Sequence, residues 1–265
     1  MRIFVEGVGL LGPGLNGWQA SRPVLSGGKP YVPTPTVVTA SDRLPPAERR
    51  RTGIPVKLAL AVGYEAFANA GRDAATTATV FTSSSGDGET LHHICETLAS
   101  TEREISPTRF HNSVHNAAAG YWSIAARSHE PSTSLCCYDA SFAAGLLEAA
   151  AQITVDGIPV ALIAYDQPYP EPLRAVREVG ANFGMALVLA PQPTGRTFAS
   201  LEVTLVPDEA RPTCMSDAGL ERLRVGIPAA RSLPLLSVLG RSATEVVVVE
   251  YVGGNHLRVA VAPCQ

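Results

Sequence analysis

The chain alternates between short, largely apolar runs of strand length and longer segments with helical periodicity. Residues 3–8, 79–82 and 159–165 are runs of the first kind, as expected of buried strands. Residues 55–71 place apolar side chains along one helical face and end at a glycine, a residue favoured at helix C-termini. This strand–helix–strand order predicts an α/β fold with a mostly parallel sheet covered by helices on both faces.

The same pattern continues to residue 166 and then changes. Helical spacing recurs in residues 88–100, 114–128 and 141–157, whereas residues 21–46 are rich in proline, glycine and serine and predict a long surface loop. Beyond residue 166 the chain is predicted to be β-rich. It holds, in order, strands at 182–191 and 198–207, two short helices within 216–239, and a hairpin over 245–263.

Composition and charge exclude several classes of protein. With a formal net charge of −3, a pI near 6.1 and no basic run beyond residues 48–51, nothing favours nucleic acid as a partner. No window approaches the roughly 18 apolar residues that a membrane span needs. The first ten residues predict a strand rather than a signal peptide. We therefore expect a cytoplasmic protein that contacts neither nucleic acid nor membrane.

Cysteine usage favours neither a disulfide framework nor a metal site. The five cysteines are an odd number, they form no C-x-x-C pair, and Cys136 and Cys137 are adjacent. His111 and His115 have the spacing of helical metal ligands, but no third ligand is placed nearby. Residues 83–88 are rich in serine and glycine but lack the lysine of a phosphate-binding loop. The sequence therefore predicts neither a metal nor a cofactor.

Residues 135–153, LCCYDASFAAGLLEAAAQI, have the shape of a nucleophile turn: a short apolar strand, a break and an alanine-rich helix. In acyl-transferring enzymes, a cysteine at the tip of such a turn has a lowered pKa because it lies at a helix N-terminus, and its thiolate attacks thioesters. Ser141 is a poor candidate for a serine hydrolase, because it lacks the flanking glycines of the G-x-S-x-G elbow.

The order of these parts resembles the N-terminal half of a β-ketoacyl synthase with the thiolase-like fold. The likeness lies in the opening RIFVEGVGLLGPG, in VHNAAAGYWSIA, in residues 134–166 and in NFGMALVLAP. It implies a domain over residues 1–191 and a short β-rich extension over residues 192–265 that packs on the same core. Shorter phrases at residues 49–60, 83–100 and 106–125 are similar to the short ketosynthase-like proteins of aryl polyene pigment clusters.

Within this resemblance, a gapless register from the strand at 159–165 back through the helix puts Asp139 at the family's nucleophile position. Cys137 falls two residues upstream, inside the strand. A carboxylate at a helix N-terminus is stabilised by the helix dipole but is a poor nucleophile toward a thioester, so Asp139 is predicted to act as an N-cap. After residue 191 the sequence holds one histidine, His256, and nothing like the family's two C-terminal histidine motifs. We therefore assign no catalytic residue.

The resemblance implies a non-catalytic subunit of the chain-length-factor type. Its expected partner is a full-length β-ketoacyl-ACP synthase, in a heterodimer or a larger complex, with acyl carrier protein contacted only indirectly. The expected pathway is aryl polyene, polyketide or fatty-acid-like biosynthesis. In the family, the strand before the elbow pairs across a two-fold axis. Here that strand comprises Ser132, Thr133, Ser134, Leu135, Cys136, Cys137 and Tyr138, and the candidates for shaping an acyl pocket are Tyr121, Trp122, Phe142 and Leu146.

Two other functions stay open at this point. The chain could be a self-sufficient acyltransferase or malonyl decarboxylase that acts on carrier-protein thioesters through Asp139, Cys137 or a histidine. It could also be a binding module for carrier protein alone. Covalent loading from an acyl carrier protein, release of carbon dioxide and affinity for a ketosynthase discriminate among the three functions.

Overall fold

Nine strands form one continuous sheet in the computed structural model, which describes residues 1–207 and 210–264. The strands are β1 (Arg2–Gly12), β2 (Leu15–Asn16), β3 (Ala78–Thr82), β4 (Ser132–Leu135), β5 (Val160–Asp166), β6 (Phe183–Ala190), β7 (Ala199–Pro207), β8 (Glu245–Glu250) and β9 (Asn255–Pro263). Their order across the sheet is β4-β3-β5-β6-β1-β7-β9-β8, and β2 pairs with the end of β1.

Helices cover both faces of this sheet. They are α1 (Trp18–Leu25), α2 (Pro46–Arg51), α3 (Ile54–Ala70), α4 (Gly88–Ala99), α5 (Pro107–Asn112), α6 (Ala117–Ala126), α7 (Ser141–Asp156), α8 (Leu173–Val176), α9 (Ala218–Gly226) and α10 (Leu233–Arg241). The prediction that α3 ends at Gly71 is confirmed, because Gly71 has a left-handed φ of 58° and its N–H bonds the last turn.

The sheet is mixed, which corrects the prediction of a mostly parallel one. β3 runs parallel to β4 and to β5, whereas β1 with β6 and β7, β5 with β6, and β9 with β7 and β8 pair antiparallel. Long crossovers through α4–α6 and through α7 produce the parallel pairs. The prediction failed because a fully buried strand has the same continuous apolar sequence in either direction.

Alternating side chains on the central strands build two cores. On β5, Val160, Leu162 and Ala164 belong to the core under α7 and α10, whereas Ala161, Ile163 and Tyr165 belong to the core under α3 and α6. The first core also contains the apolar inner side chains of β7 and β9. Both faces of the sheet are therefore covered, as predicted.

The helix α3 lies directly on β1 because that strand has glycines at the contact. A β-carbon on Gly7 or Gly9 would overlap the backbone carbonyl oxygen of Ala66 or Val62, respectively. A second departure from prediction lies at the start of the expected loop over residues 21–46. The helix α1 extends through Leu25 despite Pro23, because its buried side chains, including Trp18, pack on the sheet.

Residues on both sides of the predicted boundary at 191 contribute strands to the one sheet. The division into residues 1–191 and 192–265 stays a prediction. Among the described residues, no helix combines the length and apolar composition required to cross a membrane.

Candidate functional site

The predicted strand–turn–helix is present, and it forms a tight elbow between β4 and α7. After Leu135 the chain passes through the two cysteines into a turn over Tyr138–Ala140, and α7 begins at Ser141. Tyr138 has φ of 50°, in the left-handed region that is unfavourable for a side chain with a β-carbon. The Ser141 hydroxyl holds this conformation, because Oγ accepts from Cys137 N at 3.0 Å and donates to Tyr138 O at 2.7 Å.

Asp139 lies at this elbow, but it does not cap the helix. Its Oδ1 is 2.7 Å from Arg177 Nη2, and its Oδ2 is 3.4 Å from Arg231 Nη2. The first residue before α7 is Ala140, and no side chain caps the helix N-terminus. The N-cap prediction is therefore wrong. Two arginines from distant parts of the chain, which the local sequence does not indicate, bind the carboxylate instead.

The Arg177 side chain packs against the elbow. Its guanidinium carbon lies 3.5 Å from the centre of the Tyr138 ring, and its Nε donates to Tyr169 Oη at 3.3 Å. Burial opposes the charge, but hydrogen bonds to Tyr169 and Asp139 and the charge of Asp139 outweigh it, so the pKa of Arg177 is raised. We call Tyr138, Asp139, Arg177 and Arg231 the elbow cluster. Its one carboxylate pairs with both guanidinium groups, and Arg231 Nη1 also lies 3.7 Å from Glu250 Oε2.

The two adjacent thiols lack the surroundings of an activated nucleophile. Cys136 is exposed, and its Sγ donates to Ser84 O at 3.2 Å. Burial, with a smaller contribution from Cys136, raises the pKa of the Cys137 thiol. A reactive thiol needs a lowered pKa, because the thiolate is the attacking species. The geometry therefore disfavours Cys137 as the nucleophile of a self-sufficient acyltransferase.

A buried carboxylate that the sequence analysis missed lies beneath the elbow. Asp166, at the end of β5, accepts from Ser84 N at 2.8 Å and Ser84 Oγ at 2.7 Å through Oδ1, and from Ala229 N at 2.7 Å through Oδ2. Burial raises the pKa of Asp166 above its ordinary value despite these hydrogen bonds. The parallel pairing of β3 with β5 could have indicated this site, since it brings the serine turn after β3 beside Asp166.

Asp166 joins the elbow to the C-terminal part of the chain. Ala229 and Arg231 both belong to the turn Pro228–Ser232, so one segment contacts the buried acid and the elbow cluster. Ser84, in the serine turn after β3, also accepts a hydrogen bond from Cys136 Sγ through its carbonyl oxygen. Residues after 191 therefore contact both the elbow and the buried Asp166 beneath it.

The two candidate histidines and the serine-rich segment 83–88 form structural contacts within the fold. His115 Nε2 lies 3.1 Å from Ser83 O, and His111 belongs to α5, which ends before His115, so the two imidazoles do not share a helix. Residues 83–88 form the turn into α4, whose N-terminus is capped by Asp87 accepting from Thr90 N at 3.1 Å. Within the described residues, no group of three potential metal-ligating side chains is brought together.

The four acyl-pocket candidates lie on opposite faces of the sheet. Phe142 and Leu146 belong to the core under α7, whereas Tyr121 and Trp122 belong to the core under α6. Of the four, Tyr121 borders an apolar groove of about 520 Å³ that also includes Phe110. The Tyr121 hydroxyl donates to Asn112 Oδ1 at 3.0 Å. The role of these four residues in shaping an acyl pocket stays a prediction.

The strand β4 is an edge of the sheet. It spans Ser132–Leu135 and is thus shorter than the predicted 132–138, because the elbow turn begins at the cysteines. It pairs with β3 on one side, and no described strand pairs with its other side. Small residues of α6, including Gly120 and Ser123, lie beside Ser132 and Ser134.

An apolar surface continues from this edge across α5 and α6. Phe110, Val114 and Ile124 expose 66%, 52% and 46% of their surface, although all three are large and apolar. The groove that they line shares Asn116 and Gly120 with the surface beside β4. We call the outer edge of β4 together with these three side chains the pairing face. Contiguous apolar surface of this kind is typical of a protein–protein interface.

Comparisons with known proteins agree with this architecture. A family model described as the N-terminal domain of β-ketoacyl synthases matches residues 20–225. One similar structure is a ketosynthase (ApeO) in complex with its chain length factor (ApeC) from Xenorhabdus doucetiae, with 23% identity, a TM-score of 0.74, and 98% of this chain and 99% of that chain covered. No curated protein sequence matches the chain.

Two further structures are similar over their whole length. The ishigamide ketosynthase/chain length factor has 13% identity and a TM-score of 0.75, with 100% of both chains covered. A β-ketoacyl synthase from Burkholderia phymatum STM815 has 12% identity and a TM-score of 0.70, also with 100% of both chains covered. These matches confirm the thiolase-like α/β fold that the sequence resemblance implied.

Proposed function

The chain belongs to the family of β-ketoacyl synthase N-terminal domains, and from this premise we propose that it is a non-catalytic subunit of the chain-length-factor type. It pairs with a full-length β-ketoacyl-ACP synthase, as a heterodimer or a larger complex, and meets acyl carrier protein only through that partner. The complex acts in the cytoplasm in aryl polyene, polyketide or fatty-acid-like biosynthesis.

The observation that carries this proposal is the state of the elbow. Asp139 stands at the nucleophile position of the family register, and its carboxylate is held by Arg177 and Arg231. A carboxylate is a poor nucleophile toward a thioester, and both oxygens of this one are engaged by guanidinium groups. The nearest thiol, on Cys137, has a raised pKa. Neither group suits covalent attack on a thioester.

The pairing face supports a protein partner. The outer edge of β4 offers unpaired backbone donors and acceptors, and apolar side chains of α5 and α6 lie beside it. An added strand from a partner would satisfy the backbone groups and cover the apolar surface in one interface. Two of the similar structures are named as a ketosynthase with a chain length factor, which supports a ketosynthase as the partner.

Co-expression with a full-length β-ketoacyl-ACP synthase from the same genome tests the pairing. We expect the two chains to co-purify and to elute as one complex whose mass, measured by light scattering, contains both. The isolated chain should be poorly soluble, because its pairing face is uncovered. A stable, soluble monomer that shows no affinity for any ketosynthase of that genome would contradict the proposal.

Two further measurements test the absence of chemistry. After incubation of the chain with malonyl or acyl carrier protein, we expect mass spectrometry to show no covalent adduct on the chain and gas analysis to show no release of carbon dioxide.

In the complex, Asp139→Asn keeps the shape of the side chain and removes its charge. Condensation activity should stay within about twofold, since general acid–base catalysis contributes roughly 10²–10⁴-fold where it operates. An adduct on Cys137, or a loss of that size, would favour a self-sufficient acyltransferase or decarboxylase.

A further inference from the structure

A second concave site lies at the opposite end of the parallel strands from the elbow. It is a cavity of about 570 Å³ at the C-terminal ends of α3 and α6, just before β3 begins. This volume lies within the range of small-molecule sites, roughly 300–1,000 Å³. Its lining includes three arginines, Arg43, Arg72 and Arg127, and two aromatic side chains, Tyr64 and Phe67.

The cavity has an excess of positive charge. Arg72 Nη2 forms an ion pair with Glu6 at 2.7 Å, whereas Arg43 and Arg127 have no acidic partner within residues 1–207 and 210–264. The lining holds one acid, Asp73, which already accepts from Ala75 N at 2.9 Å. Asp73 keeps its negative charge, so the lining and Glu6 together carry three positive charges against two negative ones. Two guanidinium groups without an ion pair, those of Arg43 and Arg127, therefore border one cavity in a chain with a net charge of −3.

Helix ends account for part of this arginine excess, but not for all of it. The C-terminus of a helix favours cations, and both α3 and α6 end at the cavity. Backbone groups satisfy one carbonyl in the last turn of each helix, since Gly71 N bonds Ala68 O at 3.3 Å and Ser128 N bonds Ser123 O at 3.1 Å. Within the described residues, the Arg43 and Arg127 side chains donate no hydrogen bond to these helix ends. The donors of Arg43 and Arg127 stay available for a ligand.

One wall of the cavity is aromatic and carries a hydroxyl without a partner. The Tyr64 ring stacks on Trp122 with centroids 4.8 Å apart, and the Arg43 guanidinium carbon lies 4.5 Å from the centre of the Tyr64 ring. Burial, partly countered by the charge of Arg43, raises the pKa of Tyr64 to about 12, so its hydroxyl is a donor at neutral pH. This hydroxyl is buried and has no hydrogen-bond partner among the described residues.

We propose that this cavity, the arginine pocket, binds a small aromatic phosphate monoester. A phosphate monoester has three acceptor oxygens and close to two negative charges at neutral pH, so it can accept from both unpaired guanidinium groups at once. The ring of the ligand packs against Tyr64 and Phe67, and the Tyr64 hydroxyl donates to the ligand once Arg43 moves from the ring onto the phosphate. This site is independent of the pairing face and of the proposed function.

Titration with phenyl phosphate tests the pocket in the full chain, purified alone or in complex with its ketosynthase. The chain has two tryptophans, Trp18 and Trp122. Trp18→Phe therefore leaves Trp122, which stacks on Tyr64, as the one fluorescent reporter. We expect saturable quenching by phenyl phosphate, at least about tenfold weaker binding of inorganic phosphate, and no binding of phenol. Higher salt should weaken the binding.

Substitutions of Arg43 and Arg127, the two arginines without an ion pair, make the test specific. Arg43→Ala and Arg127→Ala should each weaken phenyl phosphate binding by about tenfold, the effect of losing one charge-assisted hydrogen bond. Both residues are exposed, so the melting temperature should not change. The matched control is Arg50→Ala, an exposed arginine of α2 outside the pocket, which should leave the affinity unchanged. Absence of saturable binding, equal binding of phenol, or an equal loss with Arg50→Ala would overturn the proposal.

Discussion

The two edges of the sheet are built in different ways. At the far edge, β8 is covered along its outer side: Thr213 N donates to Val248 O and Val248 N donates to Thr213 Oγ1, both at 2.9 Å. Charged Glu245 and Glu250 stand at the two ends of that strand. At the elbow, β4 has the sequence STSL, without a charged residue, and no described strand or loop pairs with its outer side.

This difference favours the β4 edge, rather than the β8 edge, as the one that pairs with another chain. An exposed edge strand invites association, and proteins usually protect it with charges or a covering segment. The far edge has both kinds of protection, and the β4 edge has neither. The apolar side chains of the pairing face lie on the unprotected side as well. The β8 edge of the sheet therefore faces solvent, and the β4 edge is the one proposed to face a partner.

The elbow side and the far edge of the sheet are also stabilised by different contacts. The largest predicted effect is the change in the free energy of unfolding when one acidic side chain is removed from each. Asp166→Ala leaves Ser84 N and Ala229 N buried without an acceptor. We expect the free energy of unfolding to fall by about 3 kcal/mol or more, since each unsatisfied buried donor costs about 1–3 kcal/mol. Urea denaturation of the purified complex or chain measures the loss.

The matched change at the far edge is Glu250→Ala. Glu250 is partly exposed, and both of its arginine partners keep another acid: Arg224 keeps Glu221 at 2.7 Å, and Arg231 of the elbow cluster keeps Asp139 at 3.4 Å. The expected loss is therefore about 1 kcal/mol or less. Equal losses for the two variants would show that the elbow side does not depend on its buried acid.

The second prediction concerns the backbone of β4. Pro131 O accepts from Thr79 N of β3, and Leu135 O accepts from Ser83 N directly after β3. The alternate residues Ser132 and Ser134 therefore direct their N–H groups to the outer side. Ser134→Pro removes an outward donor without breaking the pairing with β3. We expect the dissociation constant of the ketosynthase complex to rise by about tenfold to a hundredfold, with little change in unfolding.

The control places the same substitution on the other edge. Val246, two residues before the outward-facing Val248, also directs its N–H outward. Val246→Pro should therefore leave the affinity for the ketosynthase unchanged, as measured by surface plasmon resonance with the same immobilised partner. If both proline variants bind like the natural chain, the outer edge of β4 is not part of the interface.

The sequence predicted the elements well because each has a strong local signal. The helix α3 ends at a glycine, the hairpin of β8 and β9 has glycines at its turn, and β5 is a continuous apolar run. Strand direction had no such signal. The sheet is therefore mixed although a mostly parallel one was predicted, because residues buried on both faces look the same in either orientation.

The elbow shows where local sequence stops being informative. The strand, the turn and the helix were predicted from residues 135–153, and so was the absence of a cysteine at the tip in the family register. The partners of Asp139 were not predicted, because Arg177 and Arg231 come from segments about 40 and 90 residues away and follow no motif. Local capping rules then favoured the wrong role for the carboxylate.

The third prediction tests the apolar part of the pairing face. Ile124→Glu introduces a charge beside the β4 edge, where a partner would have to desolvate it. We expect affinity for the ketosynthase to fall by about fivefold to tenfold and the isolated chain to become more soluble. The control is Val155→Glu on α7, since Val155 is 81% exposed and is not part of the pairing face. Sedimentation of the isolated chain and binding to the ketosynthase give the two readouts.

The smallest expected effect is a difference in acid sensitivity between the edges. At the far edge, hydrogen bonds from Arg224 and Arg241 lower the pKa values of Glu221 and Glu245. Carboxyl groups with lowered pKa values stabilise the fold above their ordinary pKa, and this contribution is lost as the pH falls through the lowered values. Asp166 behaves in the opposite way, because burial raises its pKa. Its contribution to stability is present at low pH and is lost as the pH rises through the raised value.

Acidification from neutral pH to below about pH 4 should therefore loosen β8 before β3 and β5, the strands next to Asp166. Hydrogen exchange measured by mass spectrometry, corrected for the intrinsic pH dependence of exchange, should show protection in β8 falling by less than about fivefold, as expected for exposed ion pairs. Protection in β3 and β5, next to Asp166, should not fall. Glu245→Gln should remove part of the acid response at the far edge. A response that begins in β3 and β5 instead would reverse the assignment of the two edges, because the buried acid would then be the group that acid disrupts.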